Sequence, residues 1–264
     1  MSAFRVLNTI LTPQLPSSPF PEALSALVGL IILSEALNCH PAGVVFKVLA
    51  SLSLFGAGVH TASSKFDFFS LDALLARENR FDMLLILGLA LSYIGDVIFV
   101  GSNSRPKTPG SHSRLKIAKS FHSFTHIAYI LAFTSVDQRQ FRRADFVMTI
   151  VFGWLLVDWL GLLQKERQYH SWFEIPQEMQ WPIVLYFSVT VLTVATATAT
   201  DSGFQRILGV WLCMSSDLFV AYNAFGVDNV GQTKNVSGNS SGWVSASLGW
   251  IFYYLSQSLL VGCI

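Results

Sequence analysis

Charged residues are scarce in this chain of 264 residues. Asp, Glu, Lys and Arg together make up 12% of the sequence, whereas soluble domains carry about a quarter. Hydrophobic residues make up 52%, and the mean hydropathy is +0.49. This composition excludes an ordinary soluble domain and predicts a polytopic integral membrane protein embedded in a lipid bilayer.

Cysteine and net charge are also low, and each excludes a class of function. The three cysteines, Cys39, Cys213 and Cys263, show no CxxC spacing, so neither a disulfide framework nor a thiolate metal site is predicted. A net charge of +1 provides no basic surface for a nucleic acid, and we expect no nucleic-acid partner. No bound metal and no cofactor are expected.

Proline and hydropathy divide the chain into a tail and one domain. Pro13, Pro16 and Pro19 interrupt residues 1–20, which predicts an N-terminal interfacial tail rather than a continuous helix. Residues 21–264 contain successive apolar runs of membrane length and predict an all-α, polytopic transmembrane bundle of eight helices. The predicted spans are 22–38, 41–62, 82–101, 118–135, 144–163, 181–200, 204–225 and 244–263.

Two of these spans carry an aspartate inside an apolar run. The stretch LGVWLCMSSDLFVAYNAF contains Asp217 at its middle, and LLILGLALSYIGDVIFV contains Asp96 in its last third. A charge at a helix centre opposes insertion by roughly 2.5–3.5 kcal/mol, and intramembrane carboxylates usually face a partner, a cavity or a substrate. Asp96 and Asp217 are therefore the main functional candidates.

Other polar residues are predicted to lie at the same depth. From a rise of about 1.5 Å per residue, Asp96 and Asp217 lie roughly 8 and 12 Å below the membrane face that carries the loops at 102–117 and 226–243. The two helices that carry Asp96 and Asp217 run toward this face. Four other helices run away from it and have polar groups early in their spans. Six helices therefore place polar groups at a similar depth. This pattern predicts a polar intramembrane chamber. The additional residues are Lys47, His122, His126, Tyr186, Tyr254 and Gln257.

Five motifs carry a resemblance to a known family. The runs SYIGDVIF, FHSFTHIAYILAF, PIVLY, GVWLCMSSDLFVAYNAF and YYLSQSLL occur in this order and resemble the successive motifs of the YhhN-like family, the lysoplasmalogenases. The resemblance implies an eight-helix membrane hydrolase that cleaves the vinyl-ether bond of lysoplasmalogens, releasing a fatty aldehyde and glycerophosphocholine or glycerophosphoethanolamine. One departure is Lys47-Val48, where the family pattern has Lys-Pro.

The resemblance also implies roles for particular residues. Hydrolysis of a vinyl ether begins with proton delivery to carbon and passes through an oxocarbenium ion, so an acid and a nearby anion are both useful. Two carboxyl groups at low dielectric supply that pair when a cation such as Lys47 keeps one of them ionised. The substrate is then a lysophospholipid, and the location is the endoplasmic reticulum membrane if the source is eukaryotic. The expected catalytic residues are Asp96, Asp217 and His126, and the expected substrate-binding residues are Lys47, Tyr129, Tyr186, Asn223, Tyr254 and Gln257.

Other interpretations of the same residues stay open. The two carboxylates could be a structural pair satisfied by Lys47 or by Ser215 and Ser216, and the tyrosines could simply join helices by hydrogen bonds. His122 and His126 are four residues apart on one helix face, which with an Asp could form the zinc site of a metal-dependent membrane amidase or lipase. A lipid or solute carrier with proton-coupled carboxylates is the third alternative.

Overall fold

The predicted all-α class is confirmed. The computed structural model describes residues 13–68, 70–103, 111–135, 141–159, 161, 175–200, 203–225 and 242–264, and within these ranges it contains helices and no strand. A single 3-10 turn covers Arg77–Asn79. The α-helices are α1 (Phe20–Ala36), α2 (His40–Ser63), α3 (Leu71–Leu75), α4 (Arg80–Asn103), α5 (Ser111–Ser135), α6 (Arg143–Trp159), α7 (Gln177–Ala199), α8 (Phe204–Phe225) and α9 (Gly242–Val261).

The described ranges contain nine α-helices, one more than predicted, because α3 is a five-residue helix. Its N-cap residue is Ser70, whose Oγ accepts a hydrogen bond from the backbone N–H of Ala73 at 3.4 Å. A helix of five residues cannot produce an apolar run of membrane length, so hydropathy does not predict it.

Five of the described helices are long and apolar enough to cross a membrane, namely α2, α4, α7, α8 and α9. Helices α1 and α6 have 17 residues each, about 25 Å of rise, against a hydrocarbon core of about 30 Å. Helix α5 is longer but begins with the polar run SHSRLKIAKS. Eight membrane crossings therefore stay a prediction.

Proline marks the start of three of these helices. Pro21 and Pro41 occupy the first turns of α1 and α2, and Pro176 is the N-cap residue of α7. Proline suits these positions because its missing N–H would have no helical partner there.

Helices α4 and α5 pack together most extensively, followed by α8 and α9. Small residues allow the close approach, as in many helix pairs within membranes. A Cβ atom at Gly88 of α4 would overlap the ring of Tyr129 on α5, and a Cβ atom at Gly95 would overlap the ring of His122. The two glycines therefore set the distance between α4 and α5, the helices that carry Asp96 and His126.

This packing predicts the effect of adding a single methyl group. Gly88→Ala should lower the free energy of unfolding by about 1–3 kcal/mol, because the methyl group overpacks the contact with Tyr129. The matched control is Gly29→Ala in α1, where no atom lies within 4 Å of the added Cβ, and this change should be neutral or slightly stabilising. Thermal unfolding in detergent checks both, and equal stability of the two variants would contradict the close packing.

Candidate active site

A narrow cavity lies among α4, α5, α7, α8 and α9. Its volume is about 30 Å³, which is room for two or three water molecules. It is too small for a lipid head group, so the larger polar chamber predicted from the sequence stays a prediction. Six of the polar residues singled out in the sequence line the cavity: Asp96, His122, His126, Tyr186, Asp217 and Gln257.

Asp96 on α4 is held by hydroxyl groups from two other helices. Its side chain is 2% exposed, and its Oδ2 accepts hydrogen bonds from Ser51 Oγ at 2.6 Å and from the Tyr253 hydroxyl at 2.5 Å. The Nε2 atom of His122 lies 3.4 Å from the other oxygen, Oδ1. The Tyr253 hydroxyl is also 2.6 Å from Ser92 Oγ. Among the described residues, no lysine or arginine forms an ion pair with Asp96.

Asp217 on α8 has a cation beside it. Lys119 Nζ lies 3.2 Å from Asp217 Oδ1, and the two side chains are only 14% and 10% exposed. His126 Nε2 lies 3.9 Å from Asp217 Oδ2. The Lys119 ammonium also lies 4.1 Å from the centre of the Tyr186 ring, close enough for a cation–π interaction. Each carboxylate of the cavity therefore has a histidine nearby, but Asp96 is bonded to hydroxyls whereas Asp217 is paired with an ammonium.

Lys47 is expected from the sequence to lie beside Asp96 or Asp217 and keep one of them ionised, but its ammonium pairs with another residue. Its Nζ lies 2.5 Å from Glu35 Oε1 and 4.7 Å from the centre of the Trp250 ring. Glu35 is near the end of α1, which packs on α2 and so places the two side chains next to each other. The ammonium that pairs with an aspartate in this cavity is that of Lys119.

Three further predicted residues lie outside the cavity lining. The Tyr129 hydroxyl donates a hydrogen bond at 2.7 Å to Oε1 of Gln257, which is a residue of the cavity lining. The Tyr254 hydroxyl donates to the backbone oxygen of Lys47 at 3.0 Å. Asn223 Oδ1 accepts from Ser245 Oγ at 2.6 Å.

The cavity lining also includes residues that the sequence patterns did not single out for the site, among them Lys119, Tyr253 and Cys213. Two of them follow a pattern that was visible in the sequence, because side chains three or four residues apart share a helix face. Lys119 precedes His122 by three and His126 by seven residues, and Tyr253 precedes Gln257 by four. The tandem Tyr253-Tyr254 presented two candidates, and only Tyr253 reaches Asp96.

The same cavity contains a set of potential metal ligands. The ligand atoms of His126, Cys213 and Asp217 all lie within 4.8 Å of one another, and all three residues are buried. A cation bound there would lie beside the ammonium of Lys119, which is 3.2 Å from Asp217. Because like charges repel strongly at low dielectric, this set fits a divalent metal poorly.

The fold and the cavity define a class of protein: a helical membrane protein with a buried cluster of acidic, basic and hydroxyl side chains. The chain belongs to the YhhN family, whose model matches residues 42–264. The matched region begins in α2 and leaves Phe20–Ala36, the α1 helix, outside it. The resemblance inferred from the five motifs is thereby confirmed. No curated protein and no solved structure matches the chain.

The ion pair between Lys119 and Asp217 makes a testable contribution to stability. Lys119→Met should lower the free energy of unfolding by about 3–5 kcal/mol, because it leaves a buried carboxylate without a cation. The double variant Lys119→Met/Asp217→Asn should regain most of that loss, as no uncompensated charge stays behind. The measurement is thermal or denaturant unfolding in detergent.

Lys116→Met is the matched control for this experiment. Lys116 lies one turn earlier on α5 and is 37% exposed, at 4.0 Å from Glu178, so its loss should change stability by less than about 1 kcal/mol. If Lys119→Met were as stable as Lys116→Met, the buried ion pair would not contribute to the fold.

Proposed function

We propose that this protein is a membrane hydrolase that cleaves the vinyl-ether bond of lysoplasmalogens. Its products are a fatty aldehyde and glycerophosphocholine or glycerophosphoethanolamine. Membership of the YhhN family and the five helices apolar enough to cross a membrane support this proposal. The observation that carries it is the pair Asp96 and Asp217, which line one buried cavity while keeping different electrostatic partners.

The two carboxyl groups have separate roles in this proposal. Asp217 is the permanent anion, because the adjacent ammonium of Lys119 stabilises its charge. Among the residues that the structure describes, no lysine or arginine pairs with Asp96, and a buried carboxyl without a paired cation favours its neutral form, so Asp96 is the acid. Its Oδ2 is occupied by the hydroxyls of Ser51 and Tyr253, so Oδ1 carries the proton.

The chemistry consumes one water molecule. Asp96 transfers its proton to the vinyl carbon remote from the ether oxygen, so that a C–H bond forms and an oxocarbenium ion is left next to Asp217. Water adds to the cationic carbon and returns a proton to Asp96, which restores the acid. His126 takes the hydroxyl proton of the resulting hemiacetal and passes it to the glycerol oxygen as the bond between that oxygen and the former vinyl carbon breaks, which restores His126. The cavity volume of about 30 Å³ suits the attacking water, and the lining side chains must move apart to admit the lipid.

Replacement of either aspartate tests the proposal. Asp96→Asn and Asp217→Asn should each lower turnover by about 10²–10⁴-fold, the usual contribution of acid–base groups. Expression should change little. Asp145→Asn is the control, since Asp145 is a half-exposed residue of α6 paired with Arg142, and it should keep full activity. The assay is aldehyde release by purified protein from a lysoplasmalogen, with the acyl lysophospholipid as the comparison substrate.

Near-normal turnover by either Asn variant would remove that carboxylate from the mechanism. A wild-type protein that hydrolyses the acyl substrate and leaves the vinyl ether intact would overturn the proposed reaction while leaving the site in place.

The second candidate is a metal-dependent membrane amidase or lipase, because the ligand atoms of His126, Cys213 and Asp217 lie within 4.8 Å of one another. The ammonium of Lys119 beside Asp217 opposes this candidate. If a carboxyl rather than a metal-bound water delivers the proton, strong chelators should leave the activity intact. Cys213→Ser should then retain at least about half of the wild-type turnover, because a serine hydroxyl fills the same volume but is a poor ligand for zinc. Stoichiometric zinc by elemental analysis, with loss and recovery of activity on removal and return of the metal, would support the second candidate.

A further inference from the structure

A second pocket lies on the opposite side of α9 from the polar cavity. It is an open pocket bordered by α1, α2 and α9 and has a volume of about 330 Å³, roughly ten times that of the cavity around the carboxylates. Its walls are mainly apolar. They include Leu24 and Val28 of α1, Leu54 and Ala57 of α2, and Ile251 and Leu255 of α9.

The segment before α1 closes one end of this pocket. Leu15 and Pro16 contribute to its lining. The segment is fixed by Gln14, whose backbone N–H donates to Gln205 Oε1 at 2.8 Å and whose carbonyl accepts from Gln205 Nε2 at 2.7 Å. The same Nε2 also donates to the backbone oxygen of Leu259 on α9 at 2.8 Å. The pocket therefore has a built end wall tied to both α8 and α9.

At its inner wall the pocket is separated from the polar cavity by aromatic side chains. Tyr254 lines the apolar pocket, and its ring stacks on that of Trp250 at 5.7 Å between centres. Trp250 lines the polar cavity. The hydroxyl of Tyr254 donates a hydrogen bond to the backbone oxygen of Lys47. The rings of Tyr254 and Trp250 therefore lie between the two spaces.

We infer that the apolar pocket binds the single hydrocarbon chain of the lipid substrate, an inference that rests on the proposed function. The reacting bond of such a lipid lies at the head of its chain, next to the polar glycerol. The two spaces match this order, since a small polar cavity adjoins a larger apolar pocket across one aromatic layer. The end wall at Leu15 and Pro16 sets the longest chain that fits, and Tyr254 is the positioning residue between chain and reacting bond.

Filling the pocket tests this inference. Ser53 of α2 and Ser25 of α1 both line it, so Ser53→Phe and Ser25→Phe should reduce the space for the chain. The matched controls are Leu52→Phe and Ala26→Phe, at adjacent exposed positions outside the lining. Ser25 is itself exposed, so its variant is expected to fold even if Ser53→Phe does not.

The readout is the ratio of kcat/KM between long-chain and short-chain 1-alkenyl lysophosphocholines. Each pocket variant should lower this ratio by about tenfold, the effect of leaving roughly two methylene groups unburied, whereas the controls should leave it unchanged. Equal losses for short and long chains, or the same ratio in pocket and control variants, would overturn the inference while the proposed reaction stands.

A binding experiment separates the pocket from the reaction. An alkyl lysophosphocholine with a diazirine at the end of its chain should label Leu15, Pro16 or Phe20, and short-chain lysophosphocholine should compete poorly. This labelling is expected even if no vinyl ether is cleaved, in which case the proposed function fails and the pocket stands. Labelling that is spread over the outer faces of the helices, or that an ordinary diacyl phospholipid removes equally well, would show that the pocket holds bulk bilayer lipid and would overturn the inference.

Discussion

The ion pair between Lys119 and Asp217 is the interaction on which the polar centre of this bundle depends. A lone carboxylate among apolar helices carries a desolvation cost of several kcal/mol. Lys119 offsets that cost from α5 at 3.2 Å and is itself stabilised by the Tyr186 ring of α7. Three helices are therefore joined at one charge pair. This arrangement keeps an anion inside the bundle without requiring a metal or an opening to bulk water.

Asp96 is stabilised in a different way, and the difference follows from the helices around it. Its neighbours supply hydroxyl groups and a histidine, which can donate or accept hydrogen bonds without carrying a charge. The close packing of α4 on α5, made possible by Gly88 and Gly95, brings His122 within 3.4 Å of Asp96. In the proposed mechanism this is the carboxyl that loses and regains a proton, whereas Asp217 stays ionised beside the ammonium of Lys119. The chemical asymmetry of the site is therefore a consequence of helix packing.

The sequence predicted the helical class, because apolar runs interrupted by turn residues have few other solutions in a membrane. It also singled out Asp96, Asp217 and His126, because charge and hydrogen-bonding capacity are conspicuous in an apolar run. The cation partner could not be predicted in the same way. Lys47 lies inside an apolar run, whereas Lys119 lies in the polar first half of α5, at the start of the predicted span 118–135. The packing of α1 on α2 shows that the ammonium of Lys47 is paired with the carboxylate of Glu35. Which side chains pair between two helices depends on the rotation of each helix about its axis and on which helices are neighbours. Hydropathy encodes neither.

Helix α9 presents one face to the polar cavity and another face to the apolar pocket. Trp250, Tyr253 and Gln257 follow each other by three and four residues and face the polar cavity, whereas Ile251, Leu255 and Ser258 face the apolar pocket. Tyr254 lies between these faces and is nearly fully buried, with its hydroxyl bonded to the backbone oxygen of Lys47. Because the two faces point to environments of different polarity, a single-chain amphiphile bound across α9 would contact a polar space with its head and an apolar space with its chain.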